Sequence, residues 1–505
     1  MQSDADDWGL DLPQEWQEKE VARLSLEAQA SLLPAVGLFV REIAQGLGLT
    51  AKSARELEHA VDEAATNVIQ HAFPGGSGQY TLIMLRRPGQ VVAALEDKGI
   101  PFDLEKFQRG ESTGLGYVLI RGFADEIRVY NRGPFGKRLE IIKKLAFDDV
   151  TAYHPVEELD SLAQAEPAPA AEPLNVCQME PGQAVALARC VYRAYGYSYL
   201  SEYIYFPDQI REMLAMGRMV SFVAVNSEEE IVGHAAILPE RPGAKVGEIA
   251  QIMVDPRYRE HGVLPRIAGL LLNQAQKSGM LGLYALACAQ DVEVQKEFLG
   301  QGAREAGAFW GYGPAKAASP ETTGNGQGQR QTELLFYFPL NPGPARTVYP
   351  PAHLREWVMR VYQHCGLHRQ AGAGAESARA PEAASLLDIR VHGEWGRAFI
   401  QVKRGGADLL DQVRAQLQEL GRQNLDCVYL DLALADPATA SHGAALKKLG
   451  FFCGGVLPEM LAAGDALRLQ HVNKPGLNLE ETTLASKRGQ EIFDFIKKQY
   501  AGIER

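Results

Sequence analysis

No two of the six cysteines stand close together. Cys177, Cys190, Cys288, Cys365, Cys427 and Cys453 leave no CxxC pair for a zinc ribbon or a dithiol redox motif. Thiols scattered in this way fit a reducing compartment. Basic charge is also short, with 51 Lys and Arg against 63 Asp and Glu and a net charge of −12. A broad phosphate-backbone interface needs the opposite sign, so no nucleic-acid partner is expected, although a local basic patch stays compatible. Long apolar runs are missing as well. The most apolar helical stretch, near 264–276, is interrupted by Arg266, Asn273 and Gln274 and is too short and polar to cross a bilayer. The opening MQSDADDWGLDLPQEW is acidic and has no apolar signal region. The expectation is a cytoplasmic protein without a membrane partner.

What is present is ordinary globular composition, 46% hydrophobic and 23% charged over 505 residues. At about 100–200 residues per domain that length implies three or four domains. Two Ala/Pro/Glu-rich stretches, 159–173 and 370–384, cannot build a core and read as linkers. A third polar stretch, 317–331, lies between structured segments and reads as a long loop within a domain. The expected division is 1–155, 172–345, a helical connector and linker over 346–384, and 385–505.

In the first block, apolar residues recur at helical spacing over 30–47 and 53–71. Strand-like runs follow at 80–85, 91–97, 126–131 and 138–145. Three motifs carry chemistry. Residues 58–71, EHAVDEAATNVIQH, put Glu63 and Asn67 four apart on one helix face. An amide oxygen suits Mg²⁺, and a carboxylate one turn away can deprotonate a hydroxyl. Asp97-Lys98-Gly99 follows the apolar strand VVAAL, where a carboxylate can accept from an exocyclic amine and a glycine leaves room for a ring. Ser112-Thr113-Gly114-Leu115-Gly116 precedes an apolar helical run, a glycine-rich helix start suited to phosphate.

Singly these are a polar helix face, a β-turn and a capped helix. Their order and spacing resemble the GHKL (Bergerat) ATP-binding fold over residues 20–145. The closest resemblance is to the anti-sigma-factor serine/threonine kinases. It implies Glu63 as catalytic base, Asn67 as Mg²⁺ ligand and Asp97 as the adenine-holding group. Gly99, Thr113, Gly114, Leu115 and Gly116 would shape the nucleotide site. ATP and Mg²⁺ are the implied cofactors, the implied partner is an anti-sigma-antagonist (STAS-type) or sigma-factor-like protein, and a homodimer is compatible. No phosphoacceptor helix of a histidine kinase is visible.

The second block reads β-α-α-β-β-β-α-β-α-β. Within it EIAQIMVDPRYREHGVL, residues 248–264, leads into the helix PRIAGLLLNQAQKSG. Strand, Arg-x-x-Gly turn and amphipathic helix resemble the GNAT N-acetyltransferases, whose turn presents backbone N–H groups to the pyrophosphate of coenzyme A. The resemblance covers 174–340 and implies acetyl-CoA contacts at Val254, Arg259, Gly262 and Val263, with Glu248 as general base. The motif departs from the family at Glu260 and Leu264, and Phe298 stands where many members carry a general-acid Tyr. His234 and His261 read as packing or surface histidines. Tyr192, Tyr195, Tyr197, Tyr199, Tyr203 and Tyr205 read either as packing or as the wall of an acceptor pocket.

The third block has no Arg-x-x-Gly turn. Phe298–Gly307 (FLGQGAREAG) followed by ELLFYFPL has the outline of Leu446–Gly455 (LKKLGFFCGG) followed by ALRLQHV, which suggests a degenerate second GNAT-like unit. The expected fold class is α+β multidomain: a GHKL/Bergerat α/β sandwich, a GNAT-like mixed α/β domain and a second, smaller GNAT-like α/β unit. Three functions stay open: a kinase fused to an acyltransferase-like region, an N-acyltransferase regulated by nucleotide, and a non-catalytic ATP/CoA-responsive switch.

Overall fold

The computed structural model describes residues 19–73, 78–87, 89–100, 115–131, 136–147, 168–169, 172–196, 199, 201–239, 243–259, 261–313, 330–372, 384–392, 395–423, 425–473 and 482–503. The chain forms two compact units, one made of 13–149 with 206–212, the other of 150–205 with 213–505.

In the N-terminal unit five antiparallel strands lie in the order β1-β2-β3-β5-β4. They are β1 (Lys19–Glu27), β2 (Gln79–Arg87), β3 (Gln90–Asp97), β4 (Glu126–Asn131) and β5 (Lys137–Lys144). Helices α1 (Leu33–Gly46), α2 (Ala51–Asn67) and α3 (Leu115–Phe123) complete the layer. Helix α2 starts where the Thr50 hydroxyl accepts from the Ser53 N–H at 3.1 Å, an N-cap that satisfies an otherwise orphaned donor. Its apolar stripe, Ala54, Leu57, Ala60, Val61, Ala64 and Ala65, is buried. That stripe joins one core with Val36 and Val40 of α1 and with Leu82, Met84, Val91, Ala93, Leu95 and Ile141 of the sheet. The helix does not stop at Asn67. It widens into a π-turn over Val68–Ala72, a distortion frequent at functional sites.

The larger unit is built on one twelve-stranded sheet, ordered β15-β16-β17-β19-β18-β11-β12-β10-β9-β8-β7-β6. Its first half holds β6 (Asn175–Gln178), α4 (Ala184–Tyr195), β7 (Val220–Val225), β8 (Ile231–Pro239), β9 (Val246–Val254), α6 (Val263–Lys277), β10 (Gly282–Cys288), α7 (Val292–Gly300), β11 (Arg304–Gly313) and β12 (Gln331–Pro339). Helix α5 (Pro207–Ala215) lies between α4 and β7 in the chain. The second half holds β15 (Leu386–His392), β16 (Arg397–Arg404), α9 (Leu409–Arg422), β17 (Cys427–Ala433), α10 (Ala438–Lys448), β18 (Phe452–Leu461), β19 (Gly464–Val472) and α11 (Lys487–Ala501).

The second half repeats the first. Strand β9 is parallel to β10 across helix α6, and β16 is parallel to β17 across helix α9. Strand β10 then pairs antiparallel with β12, and β17 with β19. The repeat read from Phe298–Gly307 and Leu446–Gly455 is therefore a repeat of architecture. Strands β15 and β16 and helix α11 were not anticipated from the sequence. The connector is structured: β13 (Arg346–Val348), α8 (Arg355–His364) and β14 (Arg369–Ala371) are fixed by Arg369, whose buried guanidinium bonds Asp465 at 2.5 and 3.0 Å and Glu459 at 2.9 Å.

Candidate functional site

Two places bring the sequence-predicted residues together, one in each unit. In the N-terminal unit Glu63 and Asn67 lie on the half-buried side of α2, away from its apolar stripe. The π-turn that follows ends at Ala72, whose carbonyl accepts from the Ile100 N–H at 3.0 Å. A side chain at Gly99 would put its Cβ 2.3 Å from that carbonyl oxygen, so only glycine permits this approach. The end of α2 and the turn after β3 are thus fastened to each other, which joins the Glu63/Asn67 face to Asp97.

Asp97 ends β3 directly opposite Lys137 at the start of β5. The two side chains form an ion pair, Lys137 Nζ lying 2.9 Å from Asp97 Oδ1, with 5% and 2% of the side chains exposed. The Gly99 N–H donates to the same oxygen at 2.8 Å, and Lys137 also donates to the Ile100 carbonyl at 2.5 Å. Leu115 and Gly116 open α3. Thr113 and Gly114 lie outside the described residues.

In the larger unit β9 pairs with β10 only at Val246, Gly247 and Glu248. Beyond Glu248 the two parallel strands part, while β9 stays on β8 and β10 stays on β12. Backbone groups on one edge of 249–254 are left without a strand neighbour, which is how a sheet makes a slot for an extended ligand. Gln251, at a bulge in the β8–β9 ladder, has φ 56°. Glu248 at the fork is buried. The turn after β9 is held by its own hydrogen bonds. Asp255 caps the short helix Pro256–Tyr258, and Gly262, at φ 61°, is the N-cap of α6 with Val263 its first residue. The first-turn N–H groups of a helix started in this way suit an anion. Val254 ends β9, and Arg259 is exposed beside the turn.

Comparisons with known proteins follow this division. Residues 26–143 match the histidine kinase-like ATPase domain family, and residues 187–299 match the acetyltransferase (GNAT) family. The serine-protein kinase RsbW of Listeria monocytogenes serotype 4a is 30% identical over 121 residues, which are 21% of this chain and 77% of that protein. The Bacillus cereus RsbW is 23% identical over 123 residues, 22% of this chain and 77% of that protein.

The chain belongs to the histidine kinase-like ATPase family.

A GNAT domain follows the ATPase domain. The ribosomal-protein-alanine N-acetyltransferase of Brucella melitensis is 18% identical over 33% of this chain and 99% of its own, with a TM-score of 0.27. A GNAT-family acetyltransferase of Staphylococcus aureus is 13% identical over 34% of this chain and all of its own, with a TM-score of 0.24. Those scores add nothing to the family match.

Other singled-out residues separate cleanly. Phe298 is buried edge-on against Phe336 and Phe338, with ring centroids 5.5 and 5.8 Å away, and has no proton to give. His234 is buried between the Ser221 hydroxyl and the Gln251 carbonyl. His261 lies 3.1 Å from the Pro169 carbonyl. Of the tyrosine run, Tyr192, Tyr203 and Tyr205 are buried, and Tyr205 donates to the Gly196 carbonyl at 2.6 Å. Tyr195 and Tyr199 lie with ring centroids 4.9 Å apart; the Tyr195 hydroxyl reaches the Ile252 carbonyl at 3.4 Å, and burial raises its pKa. Tyr197 lies outside the described residues.

In the second half, the turn equivalent to the Arg-x-x-Gly turn is filled by the protein itself. The Gly406 N–H donates to Ser385 Oγ at 2.8 Å. The Asp408 carboxylate, at the head of α9, accepts from the Ser385 N–H at 2.8 Å and from Gln412 at 2.7 Å. An anion would meet a carboxylate there.

Sequence reasoning missed Lys137 and Ala72. A lysine opening a strand reads as solvated, and only the β3–β5 register shows that it faces Asp97. Among the described residues no helix is long and apolar enough to cross a membrane.

Proposed function

We propose that the chain is an ATP-dependent serine/threonine protein kinase of the anti-sigma-factor type, fused to a GNAT acyltransferase-like region and acting in the cytoplasm. The observation that carries this reading is the fastening of the Glu63/Asn67 helix face to the Asp97–Gly99 turn through Ala72. It supports one nucleotide lying along both, with its base at Asp97 and its phosphates towards Asn67 and the head of α3. Thr113, Gly114, Leu115 and Gly116 would close the phosphate end.

Asn67 fits Mg²⁺ only as a minor ligand. No cluster of three or more His, Cys, Asp or Glu side chains is present among the described residues. One amide oxygen on a half-buried helix face suits an ion that keeps its water and phosphate oxygens. Bound in this way, the ion would neutralise phosphate charge. Glu63 would take the proton of a substrate serine or threonine hydroxyl. That oxygen then bonds to the γ-phosphorus as the bond to the β,γ-bridging oxygen breaks, and ADP leaves with the bond's electrons. Such transfer needs positioning and charge stabilisation more than covalent chemistry. The partner that the resemblance to anti-sigma-factor kinases implies is a small anti-sigma antagonist of the STAS type.

A second reading has its own observation. The parting of β9 and β10 after Glu248, followed by the Gly262 turn, favours acetyl-CoA binding with Val254, Arg259, Gly262 and Val263 along it. Glu248 would then deprotonate an acceptor amine, whose nitrogen attacks the thioester carbonyl and releases the CoA thiolate.

Calorimetry with Mg-ATP on the full chain, Asn67→Ala and Asp97→Asn tests the first reading. Binding that both substitutions weaken by about tenfold or more, roughly 1.4 kcal/mol, is expected. Unchanged or absent binding would sink it.

A further inference from the structure

We propose that Lys137 is the positioning residue that makes this nucleotide site select adenine. The proposal rests on the ATP-site reading above.

The two donors on the Asp97 side chain, the Gly99 N–H at 2.8 Å and Lys137 Nζ at 2.9 Å, both address Oδ1. The terminal torsion of an aspartate is broad and roughly two-fold, so a carboxylate held by one N–H alone can turn through a wide arc. Two donors on one oxygen fix its plane and leave Oδ2 as the acceptor for a ligand. Lys137 does more than pair the charge. Its bond to the Ile100 carbonyl at 2.5 Å ties the far end of the same turn, whose near end is Asp97. Carboxylate and turn are therefore set by one ammonium group, itself buried.

A fixed, ionised acceptor discriminates between purines. Adenine offers an exocyclic N–H to Oδ2. Hypoxanthine puts a carbonyl oxygen at the same place, so two acceptors face each other. Sites that spend a buried polar group on one ligand hydrogen bond reject the analogue lacking it, because the group is left unpaired. A carboxylate released from Lys137 can turn away from the clash, and that freedom removes the penalty on hypoxanthine as well as the gain on adenine. Lys137 thus acts through Asp97 and need not touch the base.

The test is calorimetric binding of Mg-ATP and Mg-ITP to the full chain, with Lys137→Met and Lys137→Arg. Wild type is expected to prefer ATP by about tenfold or more. Lys137→Met should bring the two nucleotides within about threefold, mainly by weakening ATP. Lys137→Arg, which keeps the cation, should restore most of the preference. Should the methionine variant not fold, Lys137→Gln, whose side chain ends one bond short of the ammonium and so releases the carboxylate, replaces it with the same expectation. A merely structural lysine would weaken both nucleotides by one factor, and that result overturns the proposal while leaving the ATP site standing. An unchanged preference in the methionine or glutamine variant overturns it equally. Wild type that binds neither nucleotide overturns the proposal together with the ATP-site reading.

Discussion

Gly307 of β11 and Gly455 of β18 are paired directly across the join between the two halves of the twelve-stranded sheet. A Cβ on Gly307 would lie 2.5 Å from both the Gly454 carbonyl oxygen and the Gly455 Cα, and a Cβ on Gly455 would lie 3.1 Å from the Gly307 Cα. Each glycine ends its copy of the helix–turn–strand repeat. The two copies meet through equivalent strands, so the contact is two-fold in character although both halves are on one chain. Only backbone passes there, and the absence of side chains at both positions is what lets the halves share a sheet.

Gly307→Ala should therefore destabilise the larger unit by about 1–3 kcal/mol, the usual cost of overpacking. Gly300→Ala is the control, because nothing lies within 4 Å of a Cβ at that position. Urea unfolding of both variants would decide. Equal midpoints would mean that the join yields easily and that the glycines are incidental.

Arg193 and Asp255 hold the turn after β9 to helix α4. Arg193 Nε lies 2.5 Å from Asp255 Oδ2, each side chain 1% exposed. Burial raises the Asp255 pKa, but the hydrogen bonds from Arg257 and the charges of Arg193 and Arg257 outweigh it, and the net shift is downward. The pair's stabilisation is thus complete above the unfolded carboxylate pKa of about 3.9 and is lost as pH falls further, through the lowered native value. Asp255→Ala at neutral pH leaves the buried Arg193 guanidinium only the Ile231 carbonyl at 2.7 Å and Glu230 at 3.6 Å, and should cost up to about 3–5 kcal/mol. Thermal unfolding of this variant beside Arg193→Met/Asp255→Ala checks it. The double variant should recover part of the loss, and no recovery would mean that the cost comes from the cap on Pro256–Tyr258 instead.

The sequence made the elements that bury one clean apolar stripe legible. Helix α2 is of this kind, with Glu63 and Asn67 beside its stripe, and strand β3 is an unbroken apolar run, buried on both faces, that Asp97 ends. Strands β15 and β16 were missed because charged residues interrupt them, and β16 buries both faces, with Ala398, Ile400 and Val402 on one and Arg397, Phe399 and Gln401 on the other. Arg397 is fully buried, its guanidinium 4.1 Å from the Tyr312 ring centroid and 4.4 Å from that of Trp395. Gln401 on the same face of β16 is buried too. Alternation of polar and apolar residues there looks like an exposed face, and the Tyr312 ring from distant β11, together with the nearby Trp395, reverses that reading. Lys137 was hidden for the same reason. Its partner lies 40 residues away in sequence, and a strand register cannot be read from one strand.

His234 should make stability depend on pH. Nδ1 is 2.8 Å from the Gln251 carbonyl, which can only accept, so that nitrogen carries the hydrogen and Nε2 accepts from Ser221 at 2.7 Å. Burial pushes its pKa down to about 4, against about 6.5 in an unfolded chain. Below pH of about 6.5 the unfolded state takes up a proton that the native state refuses. This residue's contribution is therefore full above that pH, declines as pH falls and levels off below about 4. Urea midpoints of wild type and His234→Gln from pH 7 to 4 should converge as the wild type loses its increment. Parallel curves would show that the imidazole titrates normally and is not sealed.

The two proposed active sites should separate by substitution. Glu63→Gln keeps the size and hydrogen-bonding capacity of the side chain but cannot take a proton, so ATP should still bind while phosphate transfer to a STAS-type acceptor falls by about 100-fold or more. Glu248→Gln should leave that transfer untouched. Ligand protection gives the reciprocal measurement, since a ligand that binds only the folded state at about 100 times its Kd adds about 2.7 kcal/mol. Acetyl-CoA should raise the unfolding temperature of wild type and of Glu63→Gln alike, and a bulky residue in the turn, Gly262→Val, should remove the effect because Gly262 sits at φ 61°, where a β-branched residue is strained. Protection by acetyl-CoA that survives Gly262→Val would place the ligand elsewhere. No protection of wild type at millimolar acetyl-CoA would leave the GNAT domain a scaffold, with the ATPase domain carrying the chemistry.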